Sequence, residues 1–568
     1  MKQKFKISYF ILFLLSISQI EGQNQYPQNY FASPLDITLE LAGSFGELRN
    51  NHFHSGLDFR TQEKEGFNIY APANGYISRI KVSAYGFGNA LYITHPNGYV
   101  TVYGHLQSYN PKITAYLRKM QYEKESFEVD LAVPYNKIKV TKGEIIAISG
   151  NTGGTEGPHL HFEIRDKKKE HPINPLLFGY IIKDSISPVI EGIKCYDEIS
   201  GTDFDLDIKT LNGNYYIDAK DTLIFPAEFS MGISTYDLMN NNKAKNGVFK
   251  IELWLDTVLI NRMVFERFSF NETRYINAYI NYKLFVETGK KFQQSKILPG
   301  NKLSMYNFIK DQGIIKLSDN NLHQITYFVA DYEGNYRKIC FPVKTNNLTI
   351  IPIQKKSIDS NLLITFNLPD TFRTENLKIF FPANSLYENI ELNQREMSNE
   401  GKFLSNIFQI HDNTVAIHRN ISVSIKADSI ADSLKSKLLI VRIKNDGKLV
   451  SEGGKFSDGF IRTNINIFGK FAVSIDTIAP LINPLNYSQK PIPINQKTFD
   501  FEISDNLSGI AKYKTTLNGK WILMTFNAQT NKLTYTIDDR LQNGINQLKI
   551  TVEDNCQNSS ELNLLINK

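Results

Sequence analysis

From residue 159 to residue 165 the chain reads His-Leu-His-Phe-Glu-Ile-Arg, an alternation of polar and apolar side chains with a period of two. Extended backbone places every second side chain on the same face. The segment is therefore expected to be a strand, with Leu160, Phe162 and Ile164 turned to an apolar core and His159, His161 and Glu163 sharing the other face. Two imidazoles held side by side on a rigid strand can bind a metal, or divide the work so that one binds and its neighbour handles protons. A lone His-x-His is a weak signal. Three groups upstream strengthen it.

Those groups are His54, Asp58 and His105. His54 and Asp58 stand four residues apart, with Gly56 between them where the chain can turn tightly. A catalytic zinc takes three protein ligands from His, Asp or Glu and keeps one position for water. His54, Asp58 and one of the two strand histidines satisfy that count. His105 closes the alternating run Tyr99–Leu106, which Pro96-Asn97-Gly98 joins to the preceding strand Ala90–His95. Such a hairpin would bring a further, non-ligating histidine to the metal.

Read in order, HSGLD (54–58), YGHL (103–106) and GNTGGTEGPHLHFEIR (150–165) resemble the three motifs of lysostaphin-type (LytM-like) zinc endopeptidases. The resemblance covers roughly residues 40–180, and Pro172-Ile173-Asn174-Pro175 is similar to the usual exit from such a domain. It implies a small antiparallel β-sheet domain of the duplicated hybrid motif type. It implies one Zn2+ held by His54, Asp58 and His161, with His105 and His159 flanking the water on the metal. The implied substrate is the peptide part of peptidoglycan. All five positions carry the expected residue.

That set suffices for peptide hydrolysis. Zinc makes hydroxide available near neutral pH. One histidine can take a proton from water and return it to the leaving amine, while the other stabilises the oxyanion; the residues alone do not divide these roles between His105 and His159. No HExxH helix is present, which argues against a glutamate base. The chain departs from the family pattern in an insertion of roughly residues 110–136, with a charged, helical-looking run at Tyr116–Glu128. Leaving the hairpin that bears His105, it would either wall the substrate groove or decorate the surface.

Other features read more plainly. Seven of the ten histidines precede residue 180. Among them His52, His95 and His171 lack a motif partner and read as surface residues. Glu163 reads either as an outer partner of a zinc histidine or as a solvated carboxylate. Gly150, Gly153, Gly154 and Gly157 are followed by no Lys-Ser/Thr, so they form a turn and not a phosphate loop.

The first 22 residues form a leader of the export type: Lys2, Lys4 and Lys6, the apolar run Ile7–Ile20, then Glu21-Gly22. The run is short for a membrane span and no cysteine ends it, so an exported protein of the periplasm, cell envelope or medium, without a transmembrane anchor, is expected. Formal charge is +6, falling to +4 once that leader is removed, too mild for a nucleic-acid partner. Three cysteines exclude a disulfide scaffold, although Cys195 and Cys340 open and close one segment and are placed to pair.

At 568 residues several domains are expected, and 37 Phe with 29 Tyr suit a mainly β chain. A weak repeat organises the rest. Asp184-Ser-Ile-Ser-Pro188-Val-Ile190 recurs as Asp476-Thr-Ile-Ala-Pro480-Leu-Ile482, and Val329-Ala-Asp331-Tyr-Glu-Gly-Asn335 as Val552-Glu-Asp554-Asn-Cys-Gln-Asn558. After a peptidase domain at 23–183, residues 184–346 and 474–568 thus resemble Ig-like β-sandwich modules, the first with an inserted helical arm at Asn271–Gln294. Residues 347–473 are strand-rich and of no evident type. The expected function is a zinc metalloendopeptidase acting on peptidoglycan peptide stems. The alternative is a wall-binding or regulatory protein whose β-modules recruit an envelope partner.

Overall fold

A computed structural model describes residues 25–218, 222–240, 243–346, 362–427, 430–487 and 495–568. The leader at 1–22 and the start of the 347–473 segment lie outside the described residues. The architecture is mainly β, with the peptidase-like sheet at the N-terminal end.

Seven strands give the central antiparallel sheet its path: Leu41–Gly43, Leu57–Arg60, His159–Asp166, Tyr99–Gly104, Asn89–Thr94, Gly75–Val82 and Val129–Ala132. Two short strands add to it at Lys139–Val140 and Pro172–Ile173. The His159–Asp166 strand sits inside this order, so both its edges are paired. Its apolar set, Leu160, Phe162 and Ile164, is completely buried, as alternation predicts. The polar face is covered as well, with Glu163 buried beside the histidines. His95 is 2% exposed and therefore no surface residue. Its Nδ1–H donates to the Asn74 carbonyl at 2.9 Å, and its Nε2 meets the Thr101 hydroxyl at 2.8 Å. His52 is exposed and His171 half-buried.

The insertion forms the helix Pro111–Lys124, five residues earlier at its start than the charged run suggests. Asn110 caps it by accepting from the Ile113 N–H at 2.9 Å, Pro111 fits the first turn, and Glu125 ends it in the left-handed region at φ 44°. The chain then returns as Val129–Ala132 at the sheet's edge, paired with Gly75–Val82.

One apolar core runs from Tyr26 through the peptidase sheet to Val343 and takes in Tyr387 and Ala416 of the next segment, so packing does not stop at residue 183. The first β-module has two six-stranded sheets, built on Val189–Asp197 with Glu228–Leu238, and on Lys250–Leu255 with His323–Ala330 and Tyr336–Lys344. The helical arm is short: a 3-10 turn at Phe270–Tyr275, then Ile276–Tyr279 and Tyr282–Thr288, with a return to strand at Gln293–Gln294. It knits three units together. Thr273 accepts from the Phe53 N–H at 3.0 Å, beside His54, while the Tyr275 ring stacks on His418 at 4.3 Å. Cys195 and Cys340 are both free thiols and do not pair.

Residues 370–475 form two five-stranded sheets around their own apolar core, with a two-stranded pair of Leu363–Ile364 and Ile390–Glu391 beside them, and residues 481–567 two four-stranded sheets around another. No helix among the described residues is long and apolar enough to cross a membrane.

Candidate active site

The register of three strands assembles the site. His161 is paired with Asp58 on one side and with Gly104 on the other. His54 precedes the Leu57–Arg60 strand, and His105 follows the Tyr99–Gly104 strand with φ at 58°, a left-handed turn that ends the strand. Gly56 serves close approach: a Cβ there would lie 2.3 Å from the Phe162 carbonyl oxygen. Chain separation by contrast decides nothing, since the site draws on residues more than a hundred positions apart.

Three ligating atoms converge. His54 Nε2 lies 3.0 Å from His161 Nδ1, His161 Nδ1 lies 2.9 Å from Asp58 Oδ1, and His54 Nε2 lies 3.1 Å from the same oxygen. All three side chains are buried. Their outer bonds settle the tautomers, because a carbonyl or a carboxylate can only accept. His54 Nδ1–H donates to the Ser44 carbonyl at 2.8 Å, leaving a lone pair on Nε2. His161 Nε2–H donates to Glu163 at 2.8 Å, leaving a lone pair on Nδ1. Two lone pairs and a carboxylate oxygen then face one point, which demands a cation.

The donor set fits zinc. Bonds of about 2.0–2.1 Å in a tetrahedron put ligand atoms about 3.3 Å apart, close to the spacing here. Charge agrees as well. Burial alone would raise Asp58, but the imidazoles gathered around it, His54 foremost, hold its carboxyl well below the usual range. Burial alone would lower His161, yet Asp58 and Glu163 outweigh it and push it up to about 9. A proton on Nδ1 and a divalent cation are alternative answers to those two carboxylates.

His105 and His159 stand beside this triad, their rings 4.7 Å apart. Each is fixed the same way: His105 Nδ1–H donates to the Thr152 carbonyl and His159 Nδ1–H to the Gly157 carbonyl, both at 2.8 Å. Each Nε2 therefore keeps its lone pair. That of His159 is buried without a hydrogen-bond partner, 3.4 Å from Asp58 Oδ1. Burial, with His161 and His159 adding, pushes His105 down to about 3, so it is a neutral acceptor.

These five are the residues singled out from the motifs, and the fold brings all of them together. Glu163 is not solvated: it accepts from Ser55 at 2.6 Å, from His161, and from Arg165. Local pattern did not reveal Arg49, which donates to Asp58 Oδ2 at 2.6 Å, or Phe87, whose ring stacks on His161 at 4.7 Å. Both lie outside the three motifs. The insertion helix does more than decorate. Its Tyr122 packs edge-on against Trp521 of the last module at 5.0 Å and lies under Arg540.

The model of peptidase family M23 matches residues 52–121 and 130–175, a span that holds all five site residues. Residues 52–175 form a peptidase family M23 domain. The M23 domain is 32% identical over 123 residues to an uncharacterized metalloprotease of Haemophilus influenzae, covering 22% of this chain and 20% of that protein. It is 32% identical over 137 residues to the peptidoglycan DD-endopeptidase ShyA of Vibrio cholerae, covering 23% and 26%. The chain thus spans about a quarter or less of these relatives. A crystal structure of a zinc containing peptidase from Vibrio cholerae aligns at 25% identity and a TM-score of 0.20, over 28% of this chain and 41% of that one. Outside the M23 domain, a Zu5-like domain model matches residues 361–476, the strand-rich segment that carried no type from its sequence.

Proposed function

We propose that the protein is an exported, zinc-dependent endopeptidase that hydrolyses peptide crosslinks of bacterial peptidoglycan. One observation carries this reading: His54 Nε2, Asp58 Oδ1 and His161 Nδ1 present lone pairs to one point, while two further histidines keep free Nε2 atoms beside it. A protein that only bound peptide stems would have no use for a second, proton-handling pair. The relatives' printed names support the substrate, and the leader supports export to the envelope.

His54, Asp58 and His161 would hold the zinc, which would supply Lewis acidity and make hydroxide available near neutral pH. The chain's own residues do the rest. Ser44, through its carbonyl, and Glu163 hold the two ligand imidazoles in the ligating tautomer. Arg49 donates to Asp58 Oδ2, which leaves Oδ1 to the two converging imidazoles. His105, neutral across the physiological range, accepts a proton at Nε2. His105 then returns that proton to the leaving amine, while His159, on the more open side and protonated from solvent, donates from Nε2 to the oxyanion.

Purified sacculi incubated with the full chain, followed by mass spectrometry of the released fragments, test this reading. Fragments with newly freed amino and carboxyl ends at crosslinks are expected, and a chelator abolishes them. Release unaffected by chelator, or cleavage confined to glycan bonds, overturns it.

A further inference from the structure

The first and last β-modules carry the same cluster of three aspartates. Asp184, Asp237 and Asp331 offer carboxylate oxygens within 4.8 Å of one another, and so do Asp476, Asp505 and Asp554. Four of the six are the aspartates of the sequence repeat, and their bonds repeat with them. Asp184 accepts from the Ile186 N–H at 3.0 Å, as Asp476 does from Ile478 at 3.2 Å. The Asn335 amide donates to the Asp184 carbonyl and to Asp331 Oδ2; the Asn558 amide donates to the Asp476 carbonyl and to Asp554 Oδ2. Asp237 and Asp505 fill the third corner, at the end of the strand paired with each module's opening strand.

A cluster of carboxylates is common without an ion; what distinguishes these is oxygen atoms left aimed inward. Asp237 is 1% exposed, and its Oδ1 is buried without a hydrogen-bond partner. Asp184 Oδ2 and, in the last module, Asp505 Oδ1 are likewise buried atoms without a partner, on residues that are themselves half-buried. The first cluster lines a cavity of about 30 Å³, bounded also by Ser44 and by Asn174 of the M23 domain, room for one small ion.

We infer that each cluster is a calcium site that fastens its β-module to the domain before it. Only oxygen donors converge, from carboxylates, which suits a hard cation and not zinc. The position is a joint in both cases. The first cavity is shared with the M23 domain. Beside the second, Cys556 and Leu507 pack against Leu439, Val441 and Ala472 of the Zu5-like domain. Calcium at these places would stiffen the joints in the envelope or medium, where calcium modules bind with dissociation constants of about 10⁻⁴–10⁻³ M.

Equilibrium dialysis of the zinc-loaded full chain against radioactive calcium, with magnesium in excess, tests the inference. The unaltered chain is expected to bind two calcium ions and to gain several degrees in melting temperature. Asp237→Asn and Asp505→Asn should each remove one ion, and the double variant both, with zinc content unchanged. No calcium bound by the unaltered chain at millimolar concentration overturns the inference without recourse to variants. Undiminished binding by a folded double variant overturns it equally.

Discussion

Gln529 and Thr155 lie 374 positions apart in the chain, yet the side-chain amide of the first donates to the carbonyl of the second at 2.7 Å. The same amide donates to the Gly153 carbonyl, also at 2.7 Å. The last β-module thereby grips the turn that leads into His159, whose Nδ1 is held by Gly157 and approached by the Thr155 hydroxyl at 3.2 Å. Gly153 occupies this turn because its φ is 80° and a Cβ would lie 2.3 Å from the Gly88 nitrogen. The geometry of His159 is thus tied to a domain more than three hundred residues downstream.

Removal of that grip should be felt in turnover. Gln529→Ala deletes two hydrogen bonds worth about 0.5–1.5 kcal/mol each, both near solvent. A fall in kcat/KM of about 3- to 10-fold is expected, with zinc content unchanged. Steady-state hydrolysis of a soluble crosslinked muropeptide measures it. Unaltered kcat/KM would show that the turn holds itself.

Glu163 is expected to govern metal affinity. It is fully buried between His161 and Arg165, and burial alone would raise it, but Arg165 and His161 hold it down at about 2. Glu163→Gln keeps the shape and removes the charge that orients His161 Nε2–H. The zinc dissociation constant should rise about 10- to 100-fold, read by competition with a chromophoric chelator. An unchanged constant would mean that the ring is held by packing alone, through Phe87.

His95 should make the M23 domain acid-sensitive. Burial holds it down at about 4, against about 6.5 in the unfolded chain. Between those values the unfolded chain binds more protons, so stability rises with pH and is lost as pH falls through the window. The full shift is worth about 3 kcal/mol. Urea midpoints at pH 7.5 and 4.5 should differ more for the unaltered chain than for His95→Gln. Equal differences would exclude His95 as the cause.

The five site residues were legible because their chemistry is local: two histidines one strand-step apart, and a histidine and an aspartate four apart. The aspartate repeat was legible for the same reason. What surrounds the site was not. Period-two alternation predicts which side chains share a face, but it does not say that the second face of the sheet is covered too. His95 and Glu163 were therefore open to a surface reading. The carbonyls of Ser44, Thr152 and Gly157 choose the imidazole tautomers, and a carbonyl's direction leaves no mark on residue type. Gly56 looked like a turn glycine and proved to be a contact glycine. The meeting of Tyr122 with Trp521 has no local pattern at all, since neither residue is unusual where it stands.

The division of labour among the five residues is the central claim, and one paired measurement tests it: zinc content and muropeptide cleavage in single alanine variants of each. Substitution of His54, Asp58 or His161 should abolish both zinc binding and cleavage. Substitution of His105 or His159 should leave zinc bound and lower kcat by about 10²- to 10⁴-fold. Loss of zinc in the His105 or His159 variants, or full cleavage by either with zinc in place, would contradict the account.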